Sequence, residues 1–298
     1  MFDSPVVFCV FNRPELAARV FARIRAARPS RLFIVADGPR PGREGEAEKC
    51  AEVRRLVEAG IDWPCEVVRD YSDVNLGCGR RVASGIANAF KHVDEAIILE
   101  DDCLPDPSFF RFCSELLERY RSEPKVALIS GSHHQVTSTR EGESYYFCRY
   151  GNIWGWATWR RAWQKFDHGM SEWPRWRDSG DFQRHFPDRN VRRFWRRTWN
   201  EAAANSHDIW DYHWTFCYIR HGMVGILPRV ALIENIGFVS EATHTRTGNS
   251  GSPKPEPMIF PLRHPKAIEP DLEAEDRAAR RFFTIRPLWQ RIVARFVT

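Results

Sequence analysis

Residues 96–102 read Ala96-Ile97-Ile98-Leu99-Glu100-Asp101-Asp102, and how this stretch is read decides the fold. A short apolar run broken by charge has the pattern of a buried strand, with the three acids emerging at its carboxyl end. Adjacent carboxylates repel, and placing them beside a buried strand is costly unless a cation or hydrogen-bond donors offset the charge. Hard divalent cations take oxygen ligands and keep positions open for phosphate oxygens. A metal bridging a carboxylate and a diphosphate would neutralise a leaving nucleoside diphosphate. An acidic turn capping a helix that starts near Pro107 explains the triplet alone about as well. The strand in front of it favours the metal.

Upstream, short apolar runs alternate with amphipathic segments. Val6–Phe11 predicts a strand, and Pro14–Ala27 a helix with apolar positions at Leu16, Val20, Phe21 and Ile24. Leu32–Ala36 predicts a second strand, closed by the turn Asp37-Gly38-Pro39, and a helix follows around Ala47–Glu58. Cys65–Val68 is a third strand, Arg80–Lys91 a helix and Ala96–Leu99 a fourth strand. This β-α-β-α rhythm predicts an α/β, Rossmann-like, mostly parallel sheet with helices on both faces. Ligands of such sheets sit beyond the carboxyl ends of the strands.

Downstream the pattern is less regular. Pro107–Tyr120, Asn190–Ala204 and Ile209–His221 predict helices; Val126–Ser130, Val224–Leu227 and Ala231–Ile236 predict strands. Tyr145–Trp163 is aromatic and resists assignment by period. From Thr243 to Pro270 the composition turns to Gly, Ser, Pro and Thr, which predicts a flexible loop. In Arg277–Val297, apolar Phe282, Ile285, Leu288, Trp289, Ile292, Val293 and Phe296 interleave with five arginines, 280, 281, 286, 291 and 295. Such a helix docks on its own domain or lies on an anionic membrane surface. The expected organisation is one domain over 1–245 in two halves (1–130 and 131–245), a loop over 246–270 and a basic amphipathic tail over 271–298.

The bulk properties bound the function. A chain of 298 residues, 43% hydrophobic and 28% charged, is long enough for a sizeable core. A net charge of +5 is too small to argue for nucleic acid as a partner. Twelve tryptophans suit a core, and also a cleft in which indoles stack on sugar rings. The eight cysteines form no CxxC pair and have irregular spacing, the pattern of reduced thiols in a cytoplasm. MFDSPVVFCVFNRPE lacks the basic start and the apolar length of a signal peptide, and no stretch is long enough to span a bilayer.

A strand ending in Glu-Asp-Asp after three strand–helix units resembles the GT-A fold of glycosyltransferases. VVFCVFNRPE resembles its first strand and loop, VADGPR its second strand with a base-contacting acid, and NLGCGRRVASGIANAF the loop and helix before the metal strand in family-2-like enzymes. The resemblance covers roughly residues 5–245, and extends to the N-acetylglucosaminyltransferase that begins complex N-glycans. It implies that Asp102 binds manganese or magnesium, that Asp101 contacts ribose or sugar, and that Glu100 holds the sugar or the loop. It places Asn12, Arg13 and Asp37 on the nucleotide, and Arg80 or Arg81 near the diphosphate. As bare sequence the two arginines fit a solvated helix face equally well. Gly77 and Gly79 before a helix suit close backbone approach to phosphate, and a generic tight turn as well.

Trp154-Gly155-Trp156 resembles the acceptor-side wall, with Trp156 as the sugar-stacking indole, although core packing explains it too. Trp210-Asp211-Tyr212-His213-Trp214 resembles the Trp-Asp element that carries the catalytic base, so Asp211 is the expected base. Asp208 is its rival or a helix cap. His244 is a positional candidate for a further metal ligand. The implied reaction is an inverting transfer from a nucleoside-diphospho-sugar, a UDP-sugar first, to a hydroxyl of a glycan or lipid-linked acceptor. The expected setting is bacterial surface-glycan synthesis in the cytoplasm, at the inner face of the plasma membrane, with peripheral contact through 277–297 as one reading. A sugar-phosphate nucleotidyltransferase would need a Gly-rich basic loop after the first strand, where this chain has FNRPE. A non-catalytic nucleotide- or carbohydrate-binding domain is the other alternative.

Overall fold

The computed structural model describes residues 3–133, 142–204, 207–237 and 253–284. The amino-terminal part is built as the alternation predicts: β1 (Val6–Val10), α1 (Pro14–Ala27), β2 (Arg31–Ala36), α2 (Glu46–Ala59), β3 (Glu66–Tyr71), α3 (Cys78–Ala89) and β4 (Glu95–Glu100). β5 (Cys103–Pro105), α4 (Ser108–Arg119) and β6 (Val126–Ser130) follow. The aromatic segment without a clear period resolves into β7 (Tyr145–Cys148), β8 (Trp156–Trp159) and a short α5 (Arg160–Trp163). Two more short helices, α6 (Trp173–Trp176) and α7 (Gly180–His185), lead to α8 (Arg189–Ala203) and α9 (Asp211–Arg220). β9 (Val224–Pro228), β10 (Ile233–Asn235) and α10 (Leu272–Phe282) complete the order.

Eight strands form one sheet in the order β3-β2-β1-β4-β8-β6-β9-β7. β1 pairs in parallel with β2 on one side and with β4 on the other. The chain therefore winds outward through β2 and β3, then returns across β1 to lay down β4. This reversal opens a crevice at the carboxyl ends of β1 and β4. β7 and β8 run antiparallel to their neighbours, so the sheet is mostly parallel.

Both faces are covered, and β1 shows why its residues are apolar without alternation. Val6, Phe8 and Val10 point into a core shared with α1, α2 and α4, whereas Val7 and Cys9 point into a core shared with α3, α8 and α9. Most tryptophans are spent on the second core: Trp173, Trp176, Trp195 and Trp199 pack on Phe182, Phe186 and Phe216. All eight cysteines are free thiols. No described helix is long and apolar enough to cross a membrane.

One expectation changes, and the start of the tail follows the first of its two readings. Residues 253–270, read as flexible loop, form an ordered strap where described. Met258 and Leu262 are buried in the core, and the Met258 N–H donates to Ser108 Oγ at 2.9 Å. Gly, Ser and Pro content marked the lack of regular structure there, not the lack of packing. The start of the tail docks on the domain: Ala274, Ala278 and Ala279 of α10 are buried, Glu275 pairs with Arg149, and Phe283 packs on Tyr150 and Trp195. The rest of the tail, 285–298, lies outside the described residues.

Candidate functional site

A cleft of about 220 Å³ opens where the switch in strand order puts it. Its walls come from the ends of β1, β2 and β4, the loop before α3, and residues 235–237. Asn12, Arg13, Asp37, Gly77, Arg81, Glu100, Asp101 and Asp102 all line it.

The acids lie at the end of β4 because Glu100 pairs with Cys9 in the ladder and the chain then turns. Burial, reinforced by Asp102 and Asp101, pushes the Glu100 carboxyl well above the usual carboxylate range. Asp101 is 2% exposed and its pKa is raised by burial against the pull of Arg13. It forms an ion pair with Arg13 and accepts the Phe11 N–H at 3.3 Å. A second nitrogen of the same guanidinium lies 3.2 Å from Asp102 Oδ2. Arg13 is thus the cation of the cluster here, and Asp101 is tied to the β1–α1 loop. Asp102 is the more open carboxylate, with its side chain 19% exposed. A Cβ on Gly237 would come within 2.5 Å of Asp102 Oδ2, so the glycine makes room for that carboxylate.

The donor set bears on a divalent ion. Among the described residues, no three His, Cys, Asp or Glu side chains converge as a cation-binding group. Ions such as magnesium are commonly held by one or two carboxylates together with substrate phosphates. Asp102 fits that limited role, with the phosphates supplying the rest. His244, the other expected ligand, lies outside the described residues.

Asp37 lines the cleft, but its carboxylate is committed to the chain itself. It accepts from the N–H groups of Gly38, Leu76 and Gly77 and from the Asn75 amide, at 2.9–3.1 Å. Four donors use the full acceptor capacity of a carboxylate. Its position therefore makes it the clamp that folds residues 75–77 onto β2, where the resemblance implied a base contact. Asn12 donates to Glu46 at 2.9 Å, and Glu46 also pairs with Arg40, another cleft residue.

The two arginines of α3 separate. Arg81 is 6% exposed, lines the cleft and pairs with Asp70 at 2.5 Å. Arg80 is exposed and is not among the cleft residues.

The glycine loop holds an anion, but one from within the chain. Asp208 accepts the N–H of Cys78 at 2.7 Å and of Gly79 at 2.8 Å. Helix amino termini favour negative charge, and Asp208 supplies it. A Cβ on Gly77 would lie 2.4 Å from Asp208, which accounts for that glycine. Asp208 is thus a long-range cap and a cleft residue together.

Trp156 does not face the cleft. It is 1% exposed and stacks on Trp210 at 5.5 Å, inside the core. Trp154, on the other side of Gly155, lines the cleft instead. Trp156 opens β8 and the ladder directs its side chain inward, while Gly155, at φ +55°, turns the chain before it. Asp211 is the first residue of α9 and lies outside the cleft lining. Its charge nevertheless contributes to raising the Glu100 carboxyl. Sequence reading passed over Arg40, Asn235 and Gly237. They reach the cleft only through the packing of α2 and through β10, whose Asn235 pairs with Cys103 next to the acids.

No family model matches the chain, and no curated protein matches it. Among solved structures, a mannosyltransferase from Pyrobaculum calidifontis in complex with GDP-Man and Mn2+ aligns with a TM-score of 0.40 at 13% identity, covering 74% of this chain and 68% of that one. A UDP-glucose pyrophosphorylase complexed with UDP-glucose gives 0.37 at 9% identity, with coverages of 76% and 91%. A cytidylyltransferase from Leptospira borgpetersenii gives 0.34 at 11% identity and covers 56% of this chain; the chain spans 64% of that protein's length. At these scores the likenesses assign no activity.

Proposed function

We propose that the chain is a GT-A-type glycosyltransferase that moves a sugar from a nucleoside-diphospho-sugar to an acceptor hydroxyl with inversion. One observation carries the reading. The cleft at the strand switch joins an acid cluster on β4, its Arg13 counter-ion and the α3 loop in a single cavity. That combination suits a ligand that is part nucleoside and part diphosphate.

In this reading the nucleoside half lies against Phe11, Asn12 and the loop that Asp37 clamps, and Trp154 offers an aromatic face toward the sugar. Arg13 and Arg81 supply positive charge for the diphosphate. Asp102 would hold a manganese or magnesium ion, which when bound offsets charge on the leaving group. Asp211 accepts the proton of the acceptor hydroxyl, as the resemblance implies. Asp211 follows the cleft residue Asp208 by three positions, at the start of α9. The transition state would be oxocarbenium-like. The resemblance also supports a UDP-sugar donor, a glycan or lipid-linked acceptor, and a setting in bacterial surface-glycan synthesis at the inner face of the plasma membrane.

Thermal shift across UDP-, GDP- and CDP-sugars, with and without Mn2+, tests this reading. A ligand at about 100 times its dissociation constant stabilises by roughly 2.7 kcal/mol. A metal-dependent rise for one nucleotide-sugar, lost in Asp102→Asn, is expected. Asp211→Asn should keep that rise and lose transfer. If no nucleotide-sugar shifts the melting temperature in the presence of metal, the reading fails.

A further inference from the structure

The carboxyl-end cleft leaves one strongly charged surface unexplained. α8 reads RNVRRFWRRTWNEAA and carries five arginines in nine residues, 189, 192, 193, 196 and 197. At 100° per residue they fall within an arc of roughly 140° along about 12 Å of helix. Val191, Trp195, Trp199 and Ala202 occupy the opposite side and are buried. The core therefore requires one face of this helix to be apolar. It does not require the other face to be arginine, since lysine, glutamate or glutamine would solvate it equally well.

The arginines are only partly neutralised. Arg196 pairs with Asp178 at 2.9 Å and Arg197 with Glu201 at 2.8 Å, both on the surface. Arg192 donates to the carbonyls of Phe186 and Pro187. Arg189 and Arg193 are exposed and form no ion pair among the described residues. Arg189, Arg192, Arg193 and Arg196 with Asn190 frame a shallow open bay. Beside this face lies the end of α10, since Phe283 packs on Phe194 at 5.6 Å and on Trp195 at 5.0 Å. α10 adds exposed Arg277 and Arg281, Arg280, which pairs with Asp276 at 2.8 Å, and Phe282, which remains 40% exposed with Arg281 over its ring.

We propose that this face, α8 with the end of α10, binds the phosphate headgroups of an anionic lipid bilayer. Guanidinium groups match phosphate oxygens in a fork geometry, and an exposed aromatic ring beside them suits the headgroup–acyl boundary. That ring favours a bilayer over a nucleic-acid duplex. The proposal goes beyond glycosyl transfer and stands or falls separately from it.

The test is sedimentation of the full chain with phosphatidylcholine vesicles, with and without phosphatidylglycerol. The wild type should bind only the anionic vesicles and should release as salt rises. Each arginine near an anionic surface contributes roughly fivefold in affinity, so Arg189→Gln, Arg193→Gln and Arg197→Gln together should weaken binding by roughly a hundredfold. A charge-matched control, Arg19→Gln, Arg23→Gln and Arg55→Gln, alters exposed positions on α1 and α2, across the sheet from α8, and should bind as the wild type does. Circular dichroism checks that both variants fold. The proposal is overturned if the wild type ignores anionic vesicles, if the α8 variant binds unchanged, or if the control loses as much. Preferential capture of polyuridylate over vesicles at the same salt would overturn it too.

Discussion

Asp208 accepts the backbone N–H of Gly79 at 2.8 Å across 129 residues of chain, and so fastens the approach to α9 onto the first turn of α3. Capping by a side chain is worth about 1–2 kcal/mol when an acid is lost to alanine. Asp208→Ala should therefore lower unfolding free energy by about that amount in urea denaturation. Gly79→Ala should cost more, because its Cβ would sit 2.7 Å from the Ile209 carbonyl oxygen, where backbone must move. Equal stability of Asp208→Ala and wild type would show the cap to be idle.

The two tryptophans around Gly155 should behave oppositely. Trp156 is 1% exposed in the core, so Trp156→Ala should lose about 3–5 kcal/mol of stability. Trp154 lines the cleft, so Trp154→Ala should change stability far less and weaken nucleotide-sugar affinity by about tenfold. Calorimetric titration beside a urea curve separates the outcomes. A stable Trp156→Ala protein with impaired binding would return the stacking role to Trp156.

His213 gives the fold a pH dependence. It is fully buried and its ring stacks on His168 at 4.7 Å. Burial first, and the neighbouring His168 next, push its pKa down from 6.5 to about 4. Folding thus favours the neutral ring. The stabilisation is complete above pH 6.5 and is lost as pH falls through 4. The full difference is about 3 kcal/mol. The stability gap between wild type and His213→Phe should narrow in favour of the variant between pH 7 and 4.5. A gap constant over that range would contradict the burial of an ionisable ring.

Arg13 and the acid cluster test the role of a cation. Removing one partner of a buried ion pair costs about 3–5 kcal/mol, because the other charge is left alone. The Arg13 side chain is 28% exposed, so Arg13→Met should be destabilised by less than that, through an Asp101 left buried without its cation. Added Mn2+ should recover part of the loss, and should stabilise the variant more than the wild type. If Mn2+ stabilises neither protein in the presence of nucleotide-sugar, Asp102 is not a metal ligand.

The sequence by itself determined the amino-terminal, parallel half of the sheet and the floor of the cleft. Runs such as VVFCV and AIILE are short, continuous and rich in β-branched residues, which favours strands covered on both faces, and the acids after Leu99 then emerge at a carboxyl end. Hydrophobic period is a local signal, so it survives without coordinates. It failed at Trp154 and Trp156, both aromatic and two residues apart, because a positive-φ glycine between them turns the chain just before the ladder begins. Only tertiary structure decided that Asp37 clamps a loop, that Asp208 fills the amino terminus of α3, and that Arg13 is the cation on Asp101 and Asp102. Each of these is a hydrogen bond or ion pair between residues 38 to 130 positions apart. Residue type shows that a carboxylate needs partners; the packing of the whole chain chooses which.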